Sequence, residues 1–502
     1  MYINNKLLIG KNNDKEVCLL PSMANRHGLI TGASGTGKTV TAKVMAESFS
    51  ELGVPVFISD VKGDLAGTAV IGEMNDNILK RVNNLKLDNF DVKEFPVRFW
   101  DVYRVNGHPI RFKVSDVGVN VLSIMLGLSE AQEGVLNIVF KVSEDKSWDL
   151  DTLDDLKQAL NRVGEIRNEL TTTYGNVTTQ SVGVILRSLS VLENQGLSKF
   201  FGEPELNIQD LVSVDNNGKG IINILDAVEL YKNPDLYSAV MLCLLTRLYD
   251  SMPEVGDVDI PKIVFFFDEA YFLFREMPPY RLKQVEKIVR LIRSKGIGLY
   301  FISHYTTDIP DAILEQLGNR VQHNLRAYTP TDQKIAKAAA DSFRTNPNFK
   351  TYDTILELGT GQAIVSFQNE KGEPEVCERV FILPPQSKIG IIDDMTRNRI
   401  INQSPLAGKY DEDIDDRSAS EIINEVREKE SLEKEEINKE KEEAKRLKEE
   451  EKAKALAEKE KNRQEREKKN TPQYKLGKKV VNKTTDKLLN RIINKVLKGL
   501  FK

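Results

Sequence analysis

Residues 32–39, close to the start of the chain, have the composition and spacing of a loop that binds phosphate groups. They read G-A-S-G-T-G-K-T, which fits the pattern G-x-x-x-x-G-K-[ST]. Small residues let consecutive backbone N–H groups surround phosphate oxygens at the N-terminus of a helix. Lys38 would reach the β and γ phosphates of ATP, and Thr39 would place its hydroxyl on Mg²⁺. The pattern predicts that ATP and Mg²⁺ bind at Gly32, Ala33, Ser34, Gly35, Thr36, Gly37, Lys38, Thr39 and Val40.

An acidic pair follows a run of apolar residues in the second half of the chain. Asp268 and Glu269 come directly after V-F-F-F, as carboxylates at the end of a buried parallel strand would. Asp268 could hold Mg²⁺ through water, and Glu269 could polarise the attacking water as a general base. The alternative is a pair that caps the following helix. The loop at 32–39 favours the catalytic interpretation.

Three further residues have side chains that suit the same chemistry. Ser303 and His304 end the strand-like segment L-Y-F-I-S, and His304 could sense the γ phosphate through a ring N–H. Arg320, in L-G-N-R-V, could be an arginine finger that reaches the site of a neighbouring subunit. For His304 the ordinary alternative is a strand-end histidine with satisfied hydrogen bonds, and for Arg320 it is a surface ion pair.

The order of strand-like and helix-like segments predicts an α/β fold. Segments 27–31, 54–60, 262–270 and 299–303 are apolar or β-branched runs, and helical patterns such as 39–52 lie between them. Such alternation is typical of a parallel sheet that is covered on both faces. The loop at 32–39 thus lies between a strand and a helix, where a chance match in a flexible glycine-rich loop is disfavoured.

Shifts in composition predict five regions. The first part of a P-loop ATPase core (1–70) is followed by a mostly helical insertion (71–257) and by the second part of the core (258–408). A charged helical stalk or linker (409–470) and a basic amphipathic terminal helix (471–502) come after it. The stalk is rich in Glu and Lys, and its leucines keep no steady heptad, so a coiled coil is the secondary interpretation. Residues 479–502 collect apolar side chains on one face and basic ones on the other, which predicts contact with either an anionic membrane or another protein surface.

Composition and charge exclude several classes of protein. No segment approaches the roughly 20 apolar residues that span a bilayer, and the N-terminus lacks the pattern of a secretory signal, so we expect a cytoplasmic protein, peripheral to the inner face of the membrane if the terminal helix binds lipid. Three scattered cysteines suggest neither a disulfide framework nor a zinc site. Residues 471–502 hold nine Lys or Arg and one acid, which leaves 62 basic and 74 acidic residues, a charge of −12, in the rest. Any DNA contact must therefore be local.

Six segments together give the chain a family resemblance. They are GASGTGKT, SDVKGDL, KIVFFFDEAYFLF, VRLIRSKGIGLYF, DIPDAILEQLGNRVQHNLRAYTPTDQK and LPPQSKIG. In these segments, which lie in order within residues 5–395, the chain resembles the bacterial HerA-like ATPases of the YjgR type, relatives of the FtsK and HerA hexameric translocases. The resemblance implies a RecA-like P-loop NTPase core with a catalytic Glu, a helical insertion, and a homo-hexameric ring with sites between subunits.

The resemblance also implies roles for single residues. It puts Lys38 and Thr39 on the phosphates and Mg²⁺, Asp268 on the metal, Glu269 on water, and Arg320 across the subunit boundary. The turn D-V-K-G-D at 60–64 matches the family's acidic-lysine-glycine turn beside the site. One departure concerns 303–306, which read S-H-Y-T where the family has Gln in a T-Q-N-P stretch. His304 therefore stands in place of an amide at the sensor position.

Two functions are consistent with these patterns. The first is a ring-forming motor that hydrolyses ATP and moves DNA through its central channel. The second is a membrane-associated regulatory or protein-remodelling ATPase without a DNA substrate. A third, in which ATP is only a structural switch, is disfavoured by Glu269.

Overall fold

The computed structural model describes residues 1–12, 15–275, 277–414 and 417–468. The chain divides into two units, Met1–Ser420 and Glu421–Lys502. All of the predicted catalytic and nucleotide-binding residues lie in the first unit. The prediction for the terminal helix at 479–502 falls outside the described residues and stays a prediction.

The described residues form thirteen strands and sixteen α-helices. The strands are β1 Tyr2–Ile3, β2 Lys6–Asn12, β3 Lys15–Leu19, β4 Gly28–Thr31, β5 Val56–Asp60, β6 Val97–Asp101, β7 His108–Pro109, β8 Ile222–Asp226, β9 Ile263–Phe267, β10 Ile297–Ser303, β11 Asn319–Gln322, β12 Gln362–Ser366 and β13 Glu378–Ile382. The helices are α1 Lys38–Glu51, α2 Asp76–Leu85, α3 Val114–Met125, α4 Glu130–Lys146, α5 Leu153–Glu165, α6 Arg167–Tyr174, α7 Thr179–Asn194, α8 Ile208–Leu211, α9 Pro234–Ser251, α10 Tyr271–Phe274, α11 Pro279–Leu291, α12 Asp311–Leu314, α13 Pro330–Asp341, α14 Thr351–Glu357, α15 Asp394–Gln403 and α16 Ala419–Lys468.

All thirteen strands join one mixed sheet. Its order is β1-β2-β13-β12-β11-β4-β10-β9-β5-β8-β6-β7, with β3 paired to β2. The strands from β11 to β7 in this order run parallel, and those from β1 to β12 form an antiparallel edge. A single strand, β10, separates β4, which leads into the phosphate-binding loop, from β9, which leads into the acidic pair. This parallel core confirms the predicted α/β fold of the RecA-like P-loop type.

Buried, apolar sequence explains why the central strands form. Every residue of β5, β9 and β10 is buried, as expected for parallel strands that helices cover on both faces. Strand β9 is I-V-F-F-F, and aromatic rings stack between neighbouring strands, for example Phe57 on Phe265 with ring centroids 4.7 Å apart. Parallel pairing brings the carboxyl ends of β5, β9, β10, β4 and β11 to the same edge of the sheet, and that edge carries the site.

The stretch at 71–257 contributes both helices and strands. It holds α2 to α9, but also β6, β7 and β8, and β8 pairs with β5 so that Asp226 aligns with Asp60. Part of the sheet is therefore built from the stretch that the sequence assigned to a mostly helical insertion. The five predicted region boundaries stay a prediction.

The second unit contains most of the charged helix α16. This helix extends over 50 residues, and Leu432, Leu447 and Leu456 are all more than half exposed. Isolated exposed leucines in a charged helix form no apolar seam, so the coiled coil stays a prediction. Among the described residues, no helix is long and apolar enough to cross a membrane.

Candidate active site

The phosphate-binding loop lies between β4 and α1 and has a backbone that requires glycine. Gly35 and Gly37 have φ values of 77° and 116°, in the left-handed region that side chains disfavour. An added Cβ at Gly32 would lie 2.5 Å from the Cβ of His323. Among the described residues, no side chain caps the N-terminus of α1, so its first N–H groups, beginning at Lys38, are available to an anion. The loop can therefore surround an anion with N–H donors.

Three consecutive residues at the end of β11 support this loop from the side. The N–H of Ala33 donates to the carbonyl of Asn324 at 2.9 Å, and the hydroxyl of Thr31 donates to Oε1 of Gln322 at 2.7 Å. Nε2 of the buried His323 lies 2.8 Å from the hydroxyl of Thr41 in α1. These residues hold the strand, the loop and the helix in a fixed arrangement.

The Lys38 side chain folds back over the loop. Its Nζ donates to the carbonyl of Gly32 at 2.6 Å and to that of Ala33 at 3.3 Å. Burial lowers the pKa of Lys38, while the charges of Glu269 and Asp268 oppose that shift. A buried ammonium with only carbonyl partners is suited to exchange them for phosphate oxygens, which carry full charge.

Asp268 is fixed at the end of β9 by groups from two other elements. Its N–H donates to the hydroxyl of Ser59 in β5 at 3.1 Å, and its carbonyl accepts a hydrogen bond from Tyr237 in α9 at 2.5 Å. Ser59 and Tyr237 are also hydrogen-bonded to each other at 2.9 Å. Burial and the neighbouring Glu269 raise the pKa of Asp268 to about 7. A nearby cation would favour the ionised carboxylate.

Glu269 has a strained backbone and a histidine partner. Its φ is 49°, in a region that non-glycine residues seldom adopt and that is common at functional sites. One carboxylate oxygen lies 3.3 Å from Nε2 of His304, at the end of β10. Burial raises the pKa of Glu269, but the hydrogen bond and charge of His304, together with Lys38, outweigh it, so the pKa lies below its usual value. The site thus holds Glu269 ionised, as a proton acceptor must be.

Two turns complete the edge of the sheet. Ser303 donates to a carboxylate oxygen of Asp308 at 2.6 Å, and the N–H of Tyr305 donates to the same oxygen at 2.7 Å, which fixes the chain on both sides of His304. In the turn at 60–64, Asp60 accepts hydrogen bonds from the N–H groups of three later residues, the shortest at 2.7 Å. Lys62 of this turn lowers the pKa values of Asp268 and Glu269, and its charge therefore acts on the site.

Arg320 lies apart from these residues and has partners within its own chain. Its guanidinium donates to the carbonyls of Leu314, Leu317 and Ser342 at 3.1 to 3.3 Å. Those bonds join the start of β11 to the last residue of α12, to the turn that follows α12 and to the residue that follows α13. To serve a neighbouring subunit, Arg320 would have to give up these contacts. The arginine-finger role stays a prediction.

The residues present fit a magnesium nucleotide. The loop offers glycines and N–H groups for phosphate, and Lys38 offers a cation. Thr39, in the first turn of α1, offers a hydroxyl, and Asp268 offers a buried carboxylate. Among the described residues, no three His, Cys, Asp or Glu side chains form a closed metal site. Mg²⁺ is usually held by one or two protein oxygens together with water and substrate phosphates, and Thr39 and Asp268 could supply such oxygens.

The supporting residues were missed by sequence reasoning. Ser59 and Tyr237 look like ordinary members of a buried strand and an apolar helix, and no local pattern distinguishes them. Polar residues at 322–324 directly after an apolar strand carried a weak signal, because strand ends at this edge face the ligand. The pattern does not reveal which strand lies beside β4.

The fold and the site together define a RecA-like P-loop nucleoside triphosphatase. Within that class, the chain belongs to the helicase HerA-like C-terminal family, whose model matches residues 5–502. This confirms the predicted HerA-like membership. The narrower bacterial YjgR type stays a prediction.

Relatives with known functions are distant. The chain is 24% identical over 370 residues to the DNA double-strand break repair helicase HerA of Saccharolobus solfataricus, with 71% of this chain and 64% of the relative covered. It is 20% identical over 370 residues to the HerA of Sulfurisphaera tokodaii, with 73% and 67% covered. The chain therefore spans less than two thirds of the length of the first of these relatives.

Solved structures show partial likeness. VirB4 of Thermoanaerobacter pseudethanolicus has a TM-score of 0.48 and 15% identity, with 78% of this chain and 99% of that chain covered. The plasmid coupling protein TrwB in complex with ADP and Mg²⁺ has a TM-score of 0.48 and 14% identity, with 73% and 89% covered.

Proposed function

We propose that the chain is a Mg²⁺-dependent ATPase motor that couples ATP hydrolysis to movement along DNA. The observation that carries the proposal is the convergence of Lys38, Asp268 and Glu269, with His304 on the glutamate, at one edge of the sheet. These residues follow three different strands and are far apart in sequence. Together they provide a phosphate-binding cation, a metal-binding carboxylate and an ionised base.

Each residue has a separate task in hydrolysis. Bound Mg²⁺ would neutralise charge as it develops on the phosphates. Lys38 would exchange its two carbonyl partners for phosphate oxygens, Thr39 would offer its hydroxyl to the metal, and Asp268 would hold the metal through water. Glu269 takes a proton from the attacking water. His304, at 3.3 Å, orients the Glu269 carboxylate. Sensing of the γ phosphate by His304 and proton transfer to Glu269 therefore involve the same pair of side chains.

DNA is proposed as the substrate because both relatives described above are named as DNA double-strand break repair helicases. The proposal includes a homo-hexameric ring with DNA in its central channel and a location in the cytoplasm. Contact of residues 479–502 with an anionic membrane is a separate proposal and rests on sequence alone. The acidic balance outside residues 471–502 requires a local basic surface for DNA.

Two variants test hydrolysis directly. We expect Lys38→Ala to weaken ATP binding roughly 100-fold, since a charge-assisted bond is worth up to about 3 kcal/mol. We expect Glu269→Gln to bind ATP like the parent while turnover falls by about 100-fold or more, because a general base contributes at least that much. Binding is measured with a fluorescent ATP analogue, and turnover is measured by phosphate release.

An exposed carboxylate in α16 gives the matched control. Glu442→Gln makes the same chemical change as Glu269→Gln and should leave binding and turnover at parental values. Near-parental turnover by Glu269→Gln would refute its role as the base. DNA as a substrate is tested separately, by the ATPase rate of the parent with and without duplex DNA, single strands and anionic liposomes.

A further inference from the structure

Helix α11 carries an unusual concentration of basic residues. From 279 to 295, the helix and the short turn that follows it contain six Lys or Arg and one acidic residue, Glu286. The chain outside residues 471–502 is acidic overall, so the net positive charge of this segment is opposite in sign to that of its surroundings in the sequence. A local basic surface is what a DNA-binding role would require.

Three of these six cations form a stripe on the outer face of the helix. Lys283, Lys287 and Arg290 are all exposed, while Val285 and Val289 are buried on the opposite face. Their spacing of four and three residues places them side by side along the helix. At 1.5 Å per residue the stripe spans about 10 Å, whereas three consecutive phosphates of one DNA strand span two steps, about 7 Å along the axis; the long, flexible Lys and Arg side chains can close this difference.

Within the part of the chain that the structure describes, no ion pair neutralises the stripe. Among the described residues, Lys283, Lys287 and Arg290 have no carboxylate within 4.0 Å and no side-chain hydrogen bond. By contrast, Arg281 and Arg293 in the same segment are paired with Glu133 and Asp257, each at 2.8 Å. Three adjacent, unpaired cations repel one another, and a polyanion relieves that repulsion by charge complementarity.

The carboxylates near the stripe do not cancel it. Glu286 in α11 borders the stripe, three residues from Lys283 and four from Arg290, but it makes no ion pair with either among the described residues. Lys287 also lines a groove between α11, α3 and α9, whose other wall carries Asp116 and Asp250. Asp116 lies 3.5 Å from Arg247 and is already paired. Asp250 is exposed near the end of α9 and makes no ion pair with Lys287 among the described contacts. The outer face of α11 therefore remains basic.

The position of α11 connects this face to the hydrolytic residues. The helix forms the crossover between β9 and β10 and begins ten residues after Glu269. Strand β9 leads into Asp268 and Glu269, and β10 ends just before His304. A force applied to α11 by a bound ligand would therefore act on a helix that is joined in sequence to both β9 and β10.

We propose that Lys283, Lys287 and Arg290 bind consecutive phosphates of one strand of duplex DNA. The proposal rests on the proposed function and identifies the part of the chain that holds the substrate. Contacts of this kind bind the backbone without reading sequence, and they depend strongly on salt, because each neutralised phosphate releases counterions.

The test compares DNA affinity across salt concentrations. We expect the full-length variant Lys283→Gln/Lys287→Gln/Arg290→Gln to bind a duplex of random sequence on the order of 100-fold more weakly than the parent at 0.1 M salt. We also expect its plot of log affinity against log salt to be shallower by about 2.7, since each phosphate contributes about 0.9 to the slope. Fluorescence anisotropy of labelled duplex provides both quantities.

Two further variants control for charge and folding. Lys434→Gln/Lys441→Gln/Lys445→Gln removes three exposed cations from α16 and should keep the parental affinity and slope. Lys283→Arg/Lys287→Arg preserves the charge of the stripe and should also bind DNA like the parent. A loss of affinity equal to that of the glutamine variant in either control would overturn the assignment to α11.

The outcomes separate this inference from the function on which it rests. If the parent binds duplex DNA and the glutamine variant binds it with an unchanged slope, the stripe is not the DNA surface, although the motor proposal stands. If the parent neither binds DNA nor is stimulated by it, the substrate proposal fails and the stripe proposal fails with it. If the glutamine variant loses binding only to phosphatidylserine vesicles and keeps DNA binding, the surface is a membrane contact and the proposal is wrong.

Discussion

At the scale of single residues, Glu269 shows how the site depends on its surroundings. A glutamate with φ near 49° costs roughly 1 to 3 kcal/mol relative to a relaxed backbone. The bond of Tyr237 to the carbonyl of Asp268 and that of the Ala270 N–H to the carbonyl of Ile302 hold the backbone on either side. Held in this conformation, the Glu269 carboxylate lies 3.3 Å from Nε2 of His304.

Arg320 provides a prediction at the same scale. We expect Arg320→Ala to lower the free energy of unfolding by about 2 to 3 kcal/mol, because the carbonyls of Leu314, Leu317 and Ser342 lose a charged donor. If these contacts are the whole role of Arg320, turnover per folded molecule should change by less than about threefold. Thermal unfolding and phosphate release measure the two effects.

The finger interpretation of Arg320 predicts the opposite pattern. Removal of a trans-acting arginine lowers turnover by about a thousandfold or more, and it leaves the stability of the isolated chain unchanged. Lys334→Ala, an exposed cation on α13, controls for the loss of charge. A large loss of turnover at parental stability would establish Arg320 as catalytic.

At the scale of elements, a buried histidine joins the start of β4 to β10 and α11. His27, just before β4, has a φ of 57° and is almost fully buried. Its Nδ1 accepts the N–H of Leu299 at 3.0 Å, so the proton lies on Nε2, which donates to the carbonyl of Val289 at 2.8 Å. The bond at Nδ1 requires the neutral ring, because a protonated Nδ1 cannot accept a hydrogen bond. Burial accordingly lowers the pKa of His27 to about 4.

The pKa of His27 predicts how stability depends on pH. The unfolded chain takes up a proton near pH 6.5 but the folded chain only near pH 4, so acid favours the unfolded chain, and stability is lost as pH falls between these values. From pH 7.5 to 5 the loss from this residue is about 2 kcal/mol. We expect His27→Gln to be less stable than the parent at pH 7.5 and to lose less on going to pH 5. Thermal unfolding of both proteins at the two pH values measures this difference. An equal loss of stability between pH 7.5 and pH 5 in both proteins would contradict the prediction.

At the scale of the whole molecule, the central question is assembly. The predicted ring has sites between subunits, and Glu269 with Lys38 supplies only one side of such a site. We expect turnover per subunit to rise with protein concentration until the ring is complete, because dilution separates the two sides. Phosphate release across a dilution series, with the mass of the particles measured by light scattering, tests this.

Mixed rings sharpen the assembly prediction. Equal amounts of Arg320→Ala and Glu269→Gln subunits should regain part of the activity that each lacks alone if a residue acts across the boundary. If Arg320→Ala is active by itself, as its internal contacts predict, the mixture should show only the activity of the Arg320→Ala subunits. A fully active monomeric species at high dilution would contradict shared sites.

Sequence alone determined the parts of the site that are local. The spacing of residues 32–39 between a strand and a helix, and the position of Asp268 and Glu269 after an apolar run, need no long-range information. The α/β fold also followed, because buried parallel strands must be apolar and must alternate with helices. These patterns repeat over a few residues, so the chain records them directly.

Tertiary structure alone decided which distant residues meet. The order of strands places β10 between β4 and β9, and so brings His304 to Glu269. It also places the end of β11 beside the loop, and Tyr237 under Asp268. The partners of Arg320 and the outward face of α11 were likewise fixed only by packing. Each of these depends on which strands and helices are neighbours, and that choice depends on the burial of many side chains together, so no local pattern in the sequence encodes it.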